Sequence, residues 1–269
     1  MNQNLPHLKW ELRDGIVLLQ LDRASKRNSI SDELIQSLAT FFEAPPEEAK
    51  VVVLHGAGDN FCAGLDLLEY KEKGPFEAMK HSQSWHRCFD RIQFGGLPVV
   101  AALKGAVIGG GLEIAMATHV RVSEPSTFYE LPEGMRGIFV GGGASVRVAR
   151  AMGSGRMTEM MLTGRRYGAE DGVRLGLAHY LVGDGEALGK ALELATAIAR
   201  NAPISNYAML TAIARIEDMS MSEGLYTESL MAALAQTSDE AKARITAFFE
   251  SRRRTQQATE GGVKTWESA

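Results

Sequence analysis

Residues 105–118 read GAVIGGGLEIAMAT: three consecutive glycines, then a single carboxylate, Glu113, among Leu, Ile, Ala and Met. Glycine inside a regular element is unfavourable, because it gives up the most backbone freedom on folding. A carboxylate surrounded by apolar side chains costs more still unless something satisfies it. The apolar run Val99–Leu103 reads as a buried strand heading into the glycines, and the residues after them read as a helix. Both liabilities therefore fall at one strand-to-helix turn.

Three readings of that turn compete. A dinucleotide phosphate loop has G-x-G at Gly109 and Gly111 and an acidic residue downstream at Glu130 or Glu133. It fails at its third small position, where Ile114 stands, and it does not begin a repeated βαβ series. A purely structural turn would leave Glu113 solvated at a helix start, favoured by the helix dipole. That reading explains one or two glycines better than three. In the third reading the helix N-terminus bares backbone N–H groups for an anion, and glycine lets a substrate approach them. Such donors stabilise the oxyanion formed when a thioester carbonyl becomes an enolate, but a second donor and a second acid or base must come from elsewhere.

Two further segments offer them. Residues 60–66, NFCAGLD, follow the apolar strand Val51–His55 and the turn-rich loop 56–60, and lead toward an expected helix. Their small Ala63-Gly64 pair would let the Ala63 N–H reach a ligand. Residues 129–135, YELPEGM, set Glu133 between Pro and Gly, in a turn after a short extended run. Each alone reads as an ordinary turn; the combination is much more specific.

The rest of the chain frames this site. With 269 residues, 45% hydrophobic and 23% charged, it is long enough for one large domain or a domain with an appendage. A formal net charge of −4 gives no support for a nucleic-acid partner. Only Cys62 and Cys88 occur, which points away from a disulfide framework and toward a reducing compartment. The opening MNQNLPHLKW does not read as a secretory signal, and no apolar stretch approaches the roughly 20 residues of a membrane helix. The expectation is a soluble cytoplasmic protein without a membrane partner. His55 and His119 lack metal-ligand spacing, so no metal is expected.

Strands are expected at Leu8–Leu12 and Ile16–Leu21, joined by Asp14-Gly15, and a helix capped by Ser31 runs to Phe42. Phe76–Phe94 reads as a helix whose Met79, Trp85 and His86 either line a pocket or simply pack. Helical periodicity then fills Ser145–Met152, Arg156–Leu162, Ala187–Ala202, Ile204–Asp218, Ser222–Gln236 and Asp239–Arg254. Thr255–Ala269 reads as a loose polar tail, with Trp266 as a docking point. The fold class is α/β with a helical C-terminal region, divided as 1–200, holding the site, and 201–269.

In this order the motifs resemble the crotonase, or enoyl-CoA hydratase/isomerase, superfamily over almost the whole chain. Residues 23–28 (RASKRN) are similar to an early loop that contacts coenzyme A, NFCAGLD and KGAVIGGGLE to two oxyanion-hole segments, and LPEG to the segment of a second acid. Leu162–Arg166 with Ala169–Leu177 is similar to a following helix pair, and Asp239–Arg254 to a C-terminal helix near the CoA phosphates. The resemblance implies a superhelix of repeated ββα units, a helical trimerisation region, and a homotrimer or a hexamer built from two trimers. It implies Ala63 and Gly110 as oxyanion donors, Glu113 and Glu133 as the catalytic pair, and Arg23, Lys26, Ala63, Asp66 and Arg252 as CoA-binding residues. No cofactor is expected, since coenzyme A is part of the acyl-CoA substrate. Both acidic positions are filled, which favours a hydratase; an isomerase, a hydrolase or decarboxylase, and an inert acyl-CoA-binding relative stay open. Departures at Val140, Thr118-His119 and Leu65 touch none of the donors or carboxylates carried over by this resemblance.

Overall fold

The structure, a computed structural model, describes residues 5–69 and 72–263. It divides into two compact units, Met1–Asn201 and Ala202–Ala269.

In the first unit β1 (Leu8–Arg13) and β2 (Ile16–Leu21) form the expected hairpin, with Asp14 and Gly15 both at positive φ in its turn. The helix α1 (Asp32–Glu43) begins where Ser31 accepts the Leu34 N–H. There follow β3 (Val51–Gly56), α2 (Pro75–Phe94), β4 (Val99–Leu103), β5 (Ala106–Ile108) and α3 (Gly110–Ala117). Next come β6 (Val120–Ser123), β7 (Phe128–Glu130), α4 (Ala144–Met152) and α5 (Ser154–Thr163). The unit closes with β8 (Tyr167–Gly168), α6 (Ala169–Arg174), β9 (Tyr180–Leu181) and α7 (Ala187–Ile198). The helix expected after Asp66 does not form: residues 67–69 are a turn, and the next helix starts at Pro75.

One sheet runs β1-β2-β3-β4-β6-β9, parallel except for the first hairpin; a smaller one runs β5-β7-β8. The continuous apolar runs of β3 and β4 follow from burial on both faces. Val52, Leu54, Val99, Ala101 and Leu103 join the main core. Val51, Val53, Val100 and Ala102 face Ala187, Ala191 and Ala195 of α7. The short β5, β6 and β7 carry too few residues for a periodic signal, and their pairing is what places the glycine-rich turn and the segment that carries Glu133.

That placement is a backbone stitch. Cys62 N–H donates to Ala106 O (2.9 Å) and Ile108 N–H to Cys62 O (3.1 Å), laying NFCAGLD alongside β5. The chain then turns at Gly109, with φ of 51°, into α3. At Gly111 a Cβ would fall 2.3 Å from Cys62 O, so the helix approaches the stitch as only glycine allows.

In the second unit α8 (Pro203–Ile216), α9 (Met221–Gln236) and α10 (Asp239–Val263) follow one another, with a capping box at Ser220 and Glu223 opening α9. The helix α10 continues to Val263, so most of the segment expected as a tail is helical; Trp266 lies outside the described residues. Among the described residues, no helix is long and apolar enough to cross a membrane.

The substitution Gly111→Ala must push α3 off the stitch. Overpacking of this kind costs about 1–3 kcal/mol, and Gly111→Ala is expected to lose stability in the upper part of that range, read as a lowered urea-unfolding midpoint.

Candidate active site

The two predicted carboxylates meet in one cavity. Glu113, in the first turn of α3, and Glu133, just after β7, line a space of about 190 Å³ with Leu65, Gly110, and residues of α2 and of the loop 138–141. The α2 wall is Ala78, His81, Ser82 and Trp85, an i, i+3, i+4, i+7 stripe on one helical face. Trp85 lines the cavity and also packs edge-on against Phe89, so it does both things expected of it. Met79 and His86 are exposed and not part of this wall.

Glu113 is buried, and its Oε1 accepts the N–H groups of Gly142 (2.8 Å) and Ala144 (3.0 Å). Burial raises its pKa; the two amides and the Arg147 charge pull the other way. Glu133 lacks that support. Its Oε2 is buried with no hydrogen-bond partner among the described residues, and burial, reinforced by the Glu113 charge, pushes its pKa up to about 7. Its Oε1 lies against Gly109, where a Cβ would come within 2.6 Å. The absent side chain is what lets the second acid reach the start of α3. Two carboxyls thus share a cavity, one well satisfied and one not.

The amide donors need one correction. The Ala63 N–H donates to Arg27 O at 3.0 Å and is not free for a ligand. The neighbouring chain shows which donor is. Gly64 O accepts from Ile30 N–H (2.8 Å) and Asp66 N–H donates to Ile30 O (2.9 Å), so residues 64 and 66 spend these groups on one side. In extended backbone the intervening N–H points the other way. Leu65 N–H has no hydrogen-bond partner among the described residues, and Leu65 lines the cavity with Gly110. Gly110 is the first residue of α3, where an N–H has no intrahelical carbonyl to bond. The two cavity amides are therefore Leu65 and Gly110. The sequence signal that would have found Leu65 is alternation along the extended segment, not side-chain size.

The CoA-binding residues expected in the early loop are already engaged. The Arg23 guanidinium is buried, donating to Ser29 O (2.7 Å), Asp66 Oδ2 (3.0 Å) and Glu69 Oε1 (2.7 Å). Lys26 Nζ bonds the same two carboxylates at 2.9 and 2.8 Å, and its side chain is 40% exposed. Lys26, with Arg23, holds the Asp66 carboxyl below the usual carboxylate range. Arg23 and Asp66 thus brace the loop that carries NFCAGLD, and only Lys26 of the three presents much surface. Arg252 lies exposed on α10, over the Phe248 ring at 5.1 Å.

The remaining polar candidates are structural. His119 accepts Val99 N–H at Nδ1 (3.0 Å) and meets Gln93 O at Nε2 (3.0 Å), so both ring nitrogens tie α2 to β4. Burial pushes the Cys62 thiol up to about 12, which leaves it unreactive. Among the described residues no cluster of His, Cys, Asp and Glu is arranged to hold a metal.

A superhelix of ββα turns whose glycine-bared amides and paired carboxylates share one cavity is the crotonase type of enzyme fold. The chain belongs to the enoyl-CoA hydratase/isomerase family, whose sequence profile matches residues 11–257. It is 31% identical over 252 residues to the enoyl-CoA hydratase EchA19 of Mycobacterium tuberculosis, covering 92% of this chain and 95% of that protein. Among solved structures it superimposes on a Rhodopseudomonas palustris chain assigned as an enoyl-CoA hydratase, with 48% identity and a TM-score of 0.91, over 94% of this chain and 98% of that one. The enoyl-CoA hydratase of Bacillus anthracis gives 28% identity and a TM-score of 0.85 over 91% and 96%.

The raised Glu133 pKa has a consequence for stability. Its proton is held more tightly in the folded chain (about 7) than at an ordinary glutamate (4.5). The stabilisation is full below about pH 4.5 and lost as pH rises through about 7. Glu133→Gln keeps a neutral side chain at every pH. It is expected to be more stable than wild type at pH 8, by up to about 3 kcal/mol, and no more stable at pH 4, as read by thermal melts at both values.

Proposed function

We propose that this chain is an enoyl-CoA hydratase that adds water reversibly across the double bond of a trans-2-enoyl-CoA thioester. The observation that carries the proposal is that Glu113 and Glu133 face one cavity with the Leu65 and Gly110 amides. Membership of the family and the hydratase relatives support it.

The thioester oxygen accepts both amide N–H groups, which stabilise the negative charge that develops as the substrate becomes an enolate. Ionised Glu113, kept in place by the Gly142 and Ala144 amides, takes a proton from water as the water oxygen bonds to the β-carbon. Protonated Glu133 gives its proton to the α-carbon, the enolate collapses to the thioester, and a 3-hydroxyacyl-CoA results. The proton left on Glu113 then passes to solvent, and Glu133 is reprotonated. Dehydration runs these steps backward. A Glu133 pKa of about 7 keeps a useful fraction of the acid form near neutrality.

Coenzyme A enters as part of the substrate, with Lys26 as its cationic contact in the first unit and Arg23 and Asp66 bracing the loop beside it. The protein works as a homotrimer or as a hexamer of two trimers. Large apolar side chains left exposed on its C-terminal helices, among them Leu225, Tyr226, Phe248 and Phe249, support assembly through that region. The two free buried cysteines fit a cytoplasmic setting.

Crotonyl-CoA hydration, followed as loss of the conjugated enoyl absorbance, tests the reading. Glu113→Gln and Glu133→Gln are each expected to lower kcat by about a hundredfold to ten-thousandfold with acyl-CoA affinity little changed. Near-wild-type turnover by either variant would refute the base and acid roles of the two glutamates. Turnover of 3-enoyl-CoA in preference to 2-enoyl-CoA would mark an isomerase, and release of free CoA a hydrolase. Hydration by the wild type is expected to decline as pH rises through about 7, where Glu133 loses its proton. Sedimentation equilibrium at micromolar protein is expected to return the mass of three or six chains, and a monomer would remove the assembly proposal.

A further inference from the structure

The two amides that satisfy Glu113 come from a stretch with little reason of its own to stay in place. Residues 141–143 are all glycine, Gly143 has φ of 108°, and no side chain there can anchor the backbone. Each residue fixed in such a run costs conformational entropy. Something outside the run must hold it.

Two side chains do. Ser82 Oγ donates to Gly141 O at 2.7 Å. Arg147, one turn into α4, donates from Nη1 to Gly142 O at 3.1 Å, while the N–H of that same Gly142 donates to Glu113. The guanidinium is itself clamped. Its Nε donates to Gln93 Oε1 (2.6 Å) and its Nη2 to Asp90 Oδ1 (2.6 Å), both from α2, and the side chain is only 9% exposed. A planar, permanently charged fork is suited to tying a backbone carbonyl and two side chains together.

We propose that Arg147 is a positioning residue for the hydration chemistry: it holds the Gly142 peptide against Glu113 and, with its charge, favours the ionised form of that carboxyl against its burial. The proposal rests on the hydratase reading for its kinetic consequences, though not for its effect on the carboxyl. Among the described residues, three titratable groups face Glu113 in the cavity or across it. They are Arg147 from α4, Glu133 from the segment after β7, and His81 from α2. Of these Arg147 is the group that favours the ionised form at every accessible pH, since a guanidinium stays protonated. Removing it leaves Glu113 buried with weaker donors, so its proton is held to higher pH.

The test compares Arg147→Gln with Arg147→Lys, which keeps the charge and loses the fork. Circular dichroism and thermal melts establish that each variant is folded. The Glu113 carboxyl is then titrated by infrared difference spectroscopy against Glu113→Gln, a measurement that needs no substrate. Arg147→Gln is expected to raise the protonation midpoint of Glu113 by about one pH unit. It is also expected to move the acid limb of kcat upward by a similar amount, with the crotonyl-CoA KM changed less than about twofold. Arg147→Lys is expected to raise the midpoint less than Arg147→Gln, because the charge remains, while losing kcat, because the Gly142 peptide is no longer held. A folded Arg147→Gln with the wild-type midpoint overturns the proposal. Should that variant not fold, Arg147→Lys decides, and an unchanged kcat overturns it. If the wild type hydrates nothing, the hydratase reading fails, and the infrared titration still decides what Arg147 does to Glu113.

Discussion

A buried carboxylate answered by two backbone amides organises this protein. Glu113 sits at the start of a fully buried helix, where an unsatisfied charge would cost several kcal/mol. The Gly142 and Ala144 N–H groups meet that cost from a segment far along the chain. The helix can therefore keep its acid only if the glycine run is held beside it, and the run stays there through Ser82, Arg147 and the residues of α2 that grip Arg147. The long helix α2 thus serves the site twice, as a wall of the cavity and as the anchor of the loop that stabilises Glu113.

The two acids of the cavity sit in different environments. Glu113 has amide donors and a cation nearby; Glu133 has a buried oxygen without a partner among the described residues and a like charge facing it. Burial raises the proton affinity of both, but only Glu113 has donors to its charged form, and that asymmetry is what the proposed base and acid roles use. The glycines that look expensive in the sequence are the condition of this closeness. Gly109 leaves room for Glu133, and Gly111 brings α3 onto the stitch that also carries the Leu65 amide.

Much of the architecture is legible along the chain. The hairpin at Asp14-Gly15, the Ser31 cap, the apolar strands β3 and β4 and the C-terminal helices all stand close to where local signals put them, because turn chemistry, capping and periodicity act within a few residues. The short strands β5, β6, β8 and β9 are not legible, since two to four residues carry no period, and β7 shows only as the short extended run before the Glu133 turn. The end of α10 escapes for a related reason: its polar composition suggests a tail, but a polar helix has no apolar stripe to betray it.

The sequence by itself determined that Glu113, Glu133 and the Gly110 turn belong to one kind of site, because residue type and order carry that information. The tertiary structure alone decided which groups are available within it. Ala63 is spent on Arg27 and Leu65 is not; Arg23 is buried among carboxylates and Lys26 reaches the surface; Arg147, which no motif marks, holds the peptide that satisfies Glu113. The physical reason is that a hydrogen bond is a pairing. A side chain or amide announces what it can donate or accept, and only its neighbours in space settle whether that capacity is already used.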